Sequence, residues 1–532
     1  MDSSSSLSPS IIKNPSAGLP MKDFPGKNTP DYLQMVLTAR VYDVAIETPL
    51  QKAINLSARI NNTILFKRED LQPVFSFKCR GAFNKMYNLS EEEKKMGVLA
   101  CSAGNHAQGV ALAASKLGIQ ATIVMPSGAP RIKWKNVQRL GATVLLHGND
   151  FEDCKIECAR LCKENGMTDI PPYDDPLVIA GQGTIGMEIL RQYDGSKIDA
   201  IFVCVGGGGL IAGIAAYVKR LYPNIKIIGV EAYDANAMAQ SLLAGKPVTL
   251  NQVGLFADGA AVRAIGKETF RVCQSLVDEV VMVSTDELCA AIKDVFEDSR
   301  AILEPAGALA VAGAKKYIQE NKLFGKTFVT TCSGANMNFD RLRFVADRAE
   351  IGENHEAFIS VIIPEIPTSF LTLYEIIHPR DVTEFSYRFG DPQKAHIFMS
   401  FIVQDRENEL KHIFQVLKEK GMAALDATHN EMAKSHARYL VGGRKDVPNE
   451  RLFRFSFPER PGALRHFLNS LRNPKWNVSL FHYRNIGGDY GKVLAGIQVP
   501  ESTSTEFDLF LGELKYPYVE ETGNLVYQNF LK

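Results

Sequence analysis

Five short apolar runs constrain the fold of this chain more than any other feature. They cover residues 97–101, 121–125, 142–146, 200–205 and 226–230. Each run is apolar at consecutive positions, which is typical of strands buried on both faces of a parallel sheet. Helical patterns between the runs stop at glycines, such as Gly118 and Gly141. This alternation predicts an α/β fold of doubly wound parallel sheets.

A different pattern begins near residue 350 and occurs twice, with about 95 residues between the copies. Each copy opens with Pro-Glu-x-Pro, continues with a helix-like run and Phe-x-Tyr-Arg, and ends in an apolar strand, at 397–403 or 493–499. The repeat predicts two strand-helix-strand-strand modules, at 356–428 and 450–521, with open strand edges that can pair. Repetition indicates ligand-sensing modules rather than a further catalytic domain.

Residues 1–31 are rich in Ser, Pro, Gly and Lys and have almost no apolar periodicity. This composition predicts a disordered N-terminal segment, so the ordered α/β region is expected to span residues 32–350. The segment contains no arginine and no amphipathic helix, so its residues do not establish an organelle address.

The composition excludes several classes of function. Sixty basic residues balance sixty acidic ones, which gives no electrostatic case for nucleic acid or an anionic membrane. The apolar runs are much shorter than the roughly 20 residues of a membrane span, so a soluble protein is predicted. Nine cysteines and no secretory signal indicate a reducing compartment without disulfides. Cys154, Cys158 and Cys162 lack a fourth ligand at zinc-like spacing, so no metal site is predicted.

The sequence Ser76-Phe77-Lys78 follows an apolar run that starts at Thr63, and it precedes a helical pattern. A loop just beyond a strand is where α/β sheets place their chemistry. Flanked by Phe77, the Lys78 amine would be partly desolvated, which lowers its pKa toward that of a nucleophilic amine. Lys78 is therefore the candidate covalent anchor, although the tripeptide alone would also suit a solvated surface lysine.

Two further loops follow predicted strands and precede apolar helices. Ser102, Ala103 and Gly104 offer backbone N–H groups and a hydroxyl to a substrate carboxylate, and Asn105 can donate to an aromatic oxygen. A simple capping turn is the alternative. The second loop has the N–H groups and helix dipole that suit a monophosphate, and it comprises Gly206, Gly207, Gly208, Gly209 and Leu210. Its alternative is a flexible linker.

Ser333 ends the last apolar run of the α/β region, at residues 327–331. A serine hydroxyl at a strand end can hydrogen-bond a neutral ring nitrogen, whereas an aspartate would hold that nitrogen protonated. In isolation, a Ser-Gly sequence would be an ordinary turn.

Taken in this order, the four motifs resemble pyridoxal-phosphate enzymes of the tryptophan-synthase-β fold type. The match is more specific to the biosynthetic threonine dehydratases, also called threonine deaminases, whose paired C-terminal ACT-like domains the two repeats resemble. It is carried by residues 49–51, 67–74, 105–110, 178–184 and 304–308, and residues 457–464 and 476–484 look most like plant members.

The resemblance implies a role for each motif. Lys78 would form a Schiff base with pyridoxal phosphate, Asn105 would contact its 3′-oxygen, Gly206 to Leu210 would hold its phosphate, and Ser333 would meet its pyridine nitrogen. Candidate effector residues lie at matching places in the two modules: Tyr387, Arg388, Tyr483 and Arg484. The alternative that these four are ordinary surface residues of the strands, without a ligand, stays open.

The implied function is deamination of L-threonine to 2-oxobutanoate and ammonia, the first step toward isoleucine, with slower action on serine. The family also implies inhibition by isoleucine, relief by valine, and a homotetramer. The plant-like motifs favour the plastid stroma, with the mitochondrial matrix or cytoplasm as alternatives.

Two alternatives for the function remain at this point: another enzyme of the same fold type, such as a serine dehydratase, serine racemase or threonine synthase, and a non-catalytic amino-acid sensor. The presence of Lys78 argues against the sensor. Cys79 and Cys204 depart from the family pattern, and neither is expected to touch the chemistry, although they could tune rate or oxidation sensitivity.

Overall fold

The computed structural model describes residues 9–21, 29–129, 131–366, 369–387, 393–439, 445–458, 466–467, 470–471, 475–484 and 490–532. The chain divides into two compact units, Met1–Met337 and Asn338–Lys532. No helix within the described residues is both long enough and apolar enough to cross a membrane.

Unit 1 combines helices with mainly parallel strands. In chain order its elements are β1 (Ile11–Lys13), α1 (Tyr32–Leu37), β2 (Leu50–Lys52), α2 (Ile54–Arg59), β3 (Thr63–Arg68), α3 (Lys78–Tyr87), α4 (Glu91–Met96), β4 (Val98–Cys101), α5 (Asn105–Leu117), β5 (Ala121–Met125), α6 (Arg131–Arg139), β6 (Thr143–Leu146), α7 (Phe151–Asn165), β7 (Thr168–Asp169), α8 (Pro176–Gln192), β8 (Ala200–Cys204), α9 (Gly209–Leu221), β9 (Lys226–Ala232), α10 (Ala237–Ala244), α11 (Lys267–Leu276), β10 (Glu279–Val283), α12 (Thr285–Ser299), α13 (Pro305–Asn321) and β11 (Thr327–Cys332).

Two sheets organise this unit. The larger has seven strands in the order β1-β10-β9-β8-β11-β3-β2, and its inner strands are parallel. The edge strands β1 and β2 run antiparallel to their neighbours. The smaller sheet, β6-β5-β4-β7, is parallel throughout. The predicted α/β architecture with parallel sheets is confirmed.

The N-terminal segment departs from the prediction of disorder. Strand β1 pairs with β10, and Asn14 Nδ2 donates a hydrogen bond to the Val277 carbonyl at 2.6 Å. Disorder is therefore the wrong prediction for this part, because a three-residue strand is too short to show periodicity and its partner lies far away in sequence. Residues 1–8 and 22–28 lie outside the described residues.

Strand β6 is a second departure, because its apolar run predicts burial on both faces. Thr143 and Leu146 are exposed in the structure. The strand lies at the edge of the smaller sheet, where only one neighbour covers it. Helix ends agree better with the sequence, since Gly118 ends α5 in the left-handed conformation at φ +68°.

Unit 2 begins with α14 (Arg341–Gly352) and continues as two modules. The first contains β12 (Glu356–Pro364), α15 (Ser369–Ile377), β13 (Val382–Tyr387), β14 (Lys394–Ile402), α16 (Arg406–Glu419) and β15 (Ala423–Asp426). Helix α17 (Glu431–Ser435) leads to the second module, which contains β16 (Glu450–Pro458), β17 (Asn477–Arg484), β18 (Tyr490–Gln498), α18 (Ser504–Leu514) and β19 (Tyr518–Glu520), and α19 (Leu525–Phe530) follows.

The two modules share one topology but not one core. Their antiparallel sheets have equivalent strand orders, β13-β14-β12-β15 and β17-β18-β16-β19. The first core is aliphatic, with residues such as Ile359 and Leu417, and the second is largely aromatic, with residues such as Phe453 and Phe507. A further cluster joins both sheets, and it includes Phe358, Phe398, Leu452, Leu494 and Tyr527. The two modules thus form a single compact unit.

Candidate active site

The sequence motifs meet at the carboxyl ends of parallel strands in unit 1. Loops after β3, β8 and β11, which are neighbours in the larger sheet, supply Lys78, the glycine loop and Ser333. Ser76 pairs with Gly334 across a bridge, and the Phe77 N–H donates to the Ser333 carbonyl at 3.2 Å. This placement agrees with the rule that α/β sheets bind ligands beyond their strand ends.

Lys78 is the first residue of α3, and its side chain is partly buried. Nζ donates a hydrogen bond to the Pro172 carbonyl at 2.7 Å and lies 5.2 Å from the centre of the Phe77 ring. Burial lowers the pKa of Lys78 to about 8, although Cys204 and Glu304 oppose the shift. Lys78 therefore has a desolvated amine, as the sequence predicts, and its pKa of about 8 lies close to neutral pH.

The glycine loop leads into α9, and a side chain at several of its positions would collide with neighbouring residues. Gly208 has φ +94° and is the N-cap of α9, and no side chain caps the helix there. A Cβ at Gly207 would lie 2.2 Å from the Tyr173 ring. Leu210 occupies the second helical position. An uncapped helix N-terminus behind glycines is a suitable cradle for a phosphate.

Ser333 is buried just beyond β11. Its hydroxyl donates a hydrogen bond to the Ala306 carbonyl at 3.4 Å and lies near the Cys204 thiol. Strands β8 and β11 are neighbours, and their ends bring the side chains of Cys204 and Ser333 near each other. Burial raises the pKa of Cys204 to about 12, so this thiol is protonated at neutral pH.

The Asn105 side chain is held at both ends by residues that the sequence motifs do not single out. Its Nδ2 donates to Glu304 Oε1 at 2.5 Å, and its Oδ1 accepts a hydrogen bond from Asn336 Nδ2 at 2.7 Å. Glu304 precedes α13 and is buried. Glu304 lies in the stretch 304–308 that resembles the family, and Asn336 lies three residues after Ser333.

The loop of Ser102, Ala103 and Gly104 is partly exposed. The Gly104 N–H donates to Ser102 Oγ at 3.3 Å, while no side chain caps α5. Ser102 therefore shapes the loop without capping the helix, and the N-terminus of α5 stays available for a carboxylate.

Comparison with known proteins identifies the family. Residues 41–334 match the pyridoxal-phosphate-dependent enzymes, and residues 347–437 and 441–531 match the C-terminal regulatory domain of threonine dehydratase. A mitochondrial threonine dehydratase of Saccharomyces cerevisiae is 56% identical over 539 residues, which cover 99% of this chain and 93% of the relative.

The chain belongs to the threonine dehydratases. A biosynthetic L-threonine dehydratase of Burkholderia multivorans is 54% identical, with 94% of this chain and 99% of the relative covered. The solved structure of processed threonine deaminase isoform 2 from Solanum lycopersicum is 48% identical, with a TM-score of 0.60, and covers 64% of this chain and 96% of its own. This dehydratase is thus a pyridoxal-phosphate-dependent lyase with a regulatory domain.

The likeness to plant enzymes is present but not preferential. A chloroplastic dehydratase of Solanum lycopersicum is 51% identical over 498 residues, with 94% of this chain and 82% of the relative covered. The yeast relative is more similar than that.

Residues of the dehydratase site fit the cofactor. The amine of Lys78 has a lowered pKa, the glycine loop leads into the uncapped N-terminus of α9, and Ser333 brings a hydroxyl to the same strand ends. An amine, an anion cradle and a neutral hydrogen-bonding group are the three contacts that a phosphorylated pyridine aldehyde requires.

His106 lies beside the anchor lysine but is not a proton carrier at neutral pH. Burial, with Lys78 nearby, lowers the pKa of His106 to about 3. Its Nε2 lies 2.6 Å from the Ile170 carbonyl, which can only accept, so the ring is neutral and protonated at Nε2. Its role in the dehydratase is to hold α5 to the segment after β7.

A buried charge network supports the helix that carries Lys78. Lys67, Glu69, Arg80 and Glu188 have fully buried side chains. Arg80 donates to Glu69 at 2.8 Å and to Glu188 at 2.6 Å, and Lys67 donates to Glu188 at 2.6 Å. Residues 67–74, which resemble the family, include Lys67 and Glu69, whereas Glu188 lies in α8 and connects the two cations.

The candidate effector residues fall at the ends of equivalent strands. Tyr387 is the last residue of β13, and Tyr483 and Arg484 end β17. Their side chains and the whole of Arg388 lie outside the described residues. The equivalent positions agree with the repeat that the sequence predicts.

Proposed function

We propose that the site around Lys78 converts L-threonine to 2-oxobutanoate and ammonia. The observation that carries this assignment is the Lys78 amine, whose pKa is lowered to about 8 and which lies among the strand ends that supply the glycine loop and Ser333. An amine with a pKa near 8 can act both as a nucleophile and as a general base near neutral pH.

Each part of the site has a proposed role in holding the cofactor. Lys78 would hold it covalently, Gly206 to Leu210 would hold its phosphate, and Ser333 would hydrogen-bond its ring nitrogen. Asn105, fixed by Glu304 and Asn336, would contact its 3′-oxygen. When bound, pyridoxal phosphate withdraws electrons from the substrate Cα and makes the proton there acidic.

Residues of the chain would then handle the proton and the substrate. The backbone N–H groups near Ser102 to Gly104 bind the threonine carboxylate at the N-terminus of α5. The Lys78 amine would accept the Cα proton, and the Cβ hydroxyl would leave with a proton as water. Hydrolysis of the resulting imine returns that water and releases ammonia.

Serine is proposed as a slower substrate of the same site. It lacks the threonine methyl group, and a buried methyl contributes about 0.8 kcal/mol, so the expected preference for threonine is about fourfold. The ratio of kcat/KM for the two amino acids measures it.

Borohydride reduction of the holoenzyme tests the assignment of Lys78. The visible absorbance band of the cofactor should disappear, and peptide mass mapping should find one reduced pyridoxyl phosphate group on Lys78. Lys85, seven residues along the same helix, provides an internal reference and should stay unmodified. A tag on another lysine would refute the proposed anchor.

Unit 2 is the proposed site of feedback control by isoleucine, with relief by valine. Support comes from the match to the regulatory domain and from two modules with equivalent strand order. An effector must bind one arrangement of the modules more tightly than another, since equal affinity for both would shift nothing. The modules are assigned to residues 356–428 and 450–521, and the assembly is proposed to be a homotetramer.

Truncation after Glu353, at the end of α14, tests the location of the effector site. Isoleucine titrated at subsaturating threonine should inhibit the full chain and leave the truncated chain unaffected, while analytical ultracentrifugation reports the change in assembly. Equal inhibition of both would place the effector site within residues 1–353.

Tyr387, Arg388, Tyr483 and Arg484 are the proposed effector contacts. Replacing Tyr387 or Tyr483 with Ala should raise the isoleucine concentration for half-inhibition without changing basal turnover. Tyr374, an exposed residue of α15, provides the matched Tyr→Ala control.

An organellar location is proposed, because relatives over nearly the whole chain are named mitochondrial in yeast and chloroplastic in plants. The mitochondrion is favoured over the plastid, since the yeast relative is the more similar one. Fractionation of source cells with a matrix marker tests this.

A further inference from the structure

The carbonyl of Gly207, inside the glycine loop, is held by α11. Thr269 Oγ1 donates a hydrogen bond to this carbonyl at 2.7 Å, and the Gly266 N–H donates to it at 3.3 Å. Thr269 is fully buried. Its hydroxyl also lies 3.2 Å from the Gly266 carbonyl, so the shorter contact to Gly207 is the stronger of the two.

This contact fixes the orientation of one peptide plane in the cradle. The peptide between Gly207 and Gly208 is planar and trans, so its C=O and N–H point in opposite directions. With the carbonyl directed at Thr269, the Gly208 N–H points away from α11. Gly208 is the N-cap of α9, immediately before the N–H groups that face an anion at the helix start.

The first turn of α11 is itself anchored, so the hydroxyl of Thr269 has a defined position. Asp174 accepts hydrogen bonds from the N–H groups of Lys267, Glu268 and Thr269 at 2.9, 2.9 and 3.2 Å. A Cβ at Gly266 would lie 2.2 Å from Asp174 Oδ1, which shows how closely the two segments pack.

Thr269 also limits the loop sterically. A Cβ at Gly208 would lie 2.9 Å from Thr269 Cβ and 3.0 Å from Met238 Cε. The loop is therefore packed against α11 and α10 on this side. A hydroxyl on a fixed helix, together with close packing, sets the loop in one conformation before any anion binds.

We propose that Thr269 is a positioning residue for the phosphate cradle: its hydroxyl holds the Gly207–Gly208 peptide so that the Gly208 N–H is directed toward the cofactor phosphate. The inference rests on the proposed role of Gly206 to Leu210. It assigns Thr269 no contact with the substrate or the cofactor.

Matched variants separate the hydroxyl from the shape of the side chain. Thr269→Val keeps the branched shape and removes the donor, whereas Thr269→Ser keeps the donor. Full-length protein is dialysed to equilibrium against graded pyridoxal phosphate and, in parallel, against pyridoxal, which lacks the phosphate. Bound ligand is measured by absorbance and by borohydride-fixed mass on Lys78.

Thr269→Val should bind pyridoxal phosphate about tenfold more weakly than wild type, the size expected for a lost supporting hydrogen bond, with unchanged affinity for pyridoxal. Thr269→Ser should stay within about twofold of wild type for both ligands. If Thr269→Val is not recovered folded, Thr269→Ala, which also lacks the donor, carries the test.

Equal weakening of both ligands, or unchanged affinity for pyridoxal phosphate, would overturn the inference. So would a Thr269→Ser variant as weak as the variant without a hydroxyl. Failure of the underlying site assignment looks different, because wild type itself would then carry no fixed mass on Lys78.

Discussion

The two units of the dehydratase bury charge in different ways. Around the Lys78 helix of unit 1, Lys67, Glu69, Arg80 and Glu188 form a network in which every side chain is fully buried. In unit 2, the buried cation Arg348 pairs at 3.0 Å with Glu431, whose side chain is 37% exposed.

The difference indicates where geometry is fixed and where it can change. Charges with no access to water are stable only while each keeps its partner, so the closed network holds α3, and with it Lys78, in one position. In the unit 2 pair only Glu431 reaches solvent, so water can solvate this carboxylate when the pair opens, whereas Arg348 stays buried. A carboxylate with access to water is compatible with the two arrangements that the proposed control by an effector requires.

Removing the anchor amine should have the largest effect and should be confined to chemistry. In Lys78→Ala, formation of 2-oxobutanoate should fall by about 10³-fold or more, because Lys78 is the proposed anchor and also the proposed base. Isoleucine binding, measured by calorimetry, should persist. Lys85→Ala, on the same helix and paired with Asp175 at 2.8 Å, is the control and should keep activity within about threefold. Activity of Lys78→Ala within tenfold of wild type would contradict the assignment.

Breaking the closed network should destabilise unit 1 alone. Glu188→Gln leaves the buried Lys67 and Arg80 short of one negative charge, so the free energy of unfolding of unit 1 should fall by about 3–5 kcal/mol. The chain has two tryptophans, Trp134 in unit 1 and Trp476 in unit 2, so Trp→Phe at either one leaves the other as a fluorescence reporter of its own unit.

Denaturant titrations followed through each reporter supply the measurement. The Trp134 transition should shift strongly and the Trp476 transition should not. Glu91→Gln, which removes an exposed partner of Lys94, is the control and should change neither by more than about 0.5 kcal/mol. Equal shifts at both reporters would show that the network supports the whole chain.

The lowered pKa of Lys78 predicts how cofactor capture depends on pH. A lysine with pKa about 8 loses its proton as pH rises through 8, whereas an ordinary lysine does so near 10.5. At pH 7 the neutral fraction is therefore about 300-fold larger for Lys78. The rate at which cofactor-free protein takes up pyridoxal phosphate should rise up to about pH 8 and then level off. Nα-acetyllysine is the reference amine, and a matching profile would mean that Lys78 is not desolvated.

Local features of the fold follow closely from the sequence. The run 121–125 is β5 to the residue, and the helical pattern predicted to stop at Gly118 is α5, which ends at Leu117. These elements depend on periodicity and on glycine ends, which a short window contains. Strand β1 was missed because its stability comes from β10, a partner far along the chain.

The candidate site also contains residues that local motifs mark and residues that depend on distant partners. Lys78, the glycine loop and Ser333 stand in recognisable motifs, and the structure brings them to neighbouring strand ends. Glu188 and Thr269 act through contacts with segments about 100 and 60 residues away, so no local pattern marks them. A local sequence pattern does not reveal which distant segments pair. Both the buried charge network and the contact of Thr269 with the glycine loop depend on such pairing.

The smallest effect is expected where a neutral hydroxyl, rather than an opposite charge, satisfies a buried carboxylate of unit 2. Tyr527 in α19 is fully buried and donates to Glu450 at the start of β16, which Ser479 also contacts. Burial raises the pKa of Tyr527, so the hydroxyl keeps its proton and stays the donor. Tyr527→Phe removes one hydrogen bond to a charged group and leaves the bond from Ser479, so unit 2 should lose about 1.5–3 kcal/mol. Denaturation followed by Trp476 in a Trp134→Phe background measures this loss.

The control is Tyr518→Phe in β19, where the ring is 44% exposed and a change within about 0.5 kcal/mol is expected. A loss from Tyr527→Phe as large as that from Glu188→Gln would mean that unit 2 holds its buried charge as rigidly as unit 1, and the contrast between the two units would fail.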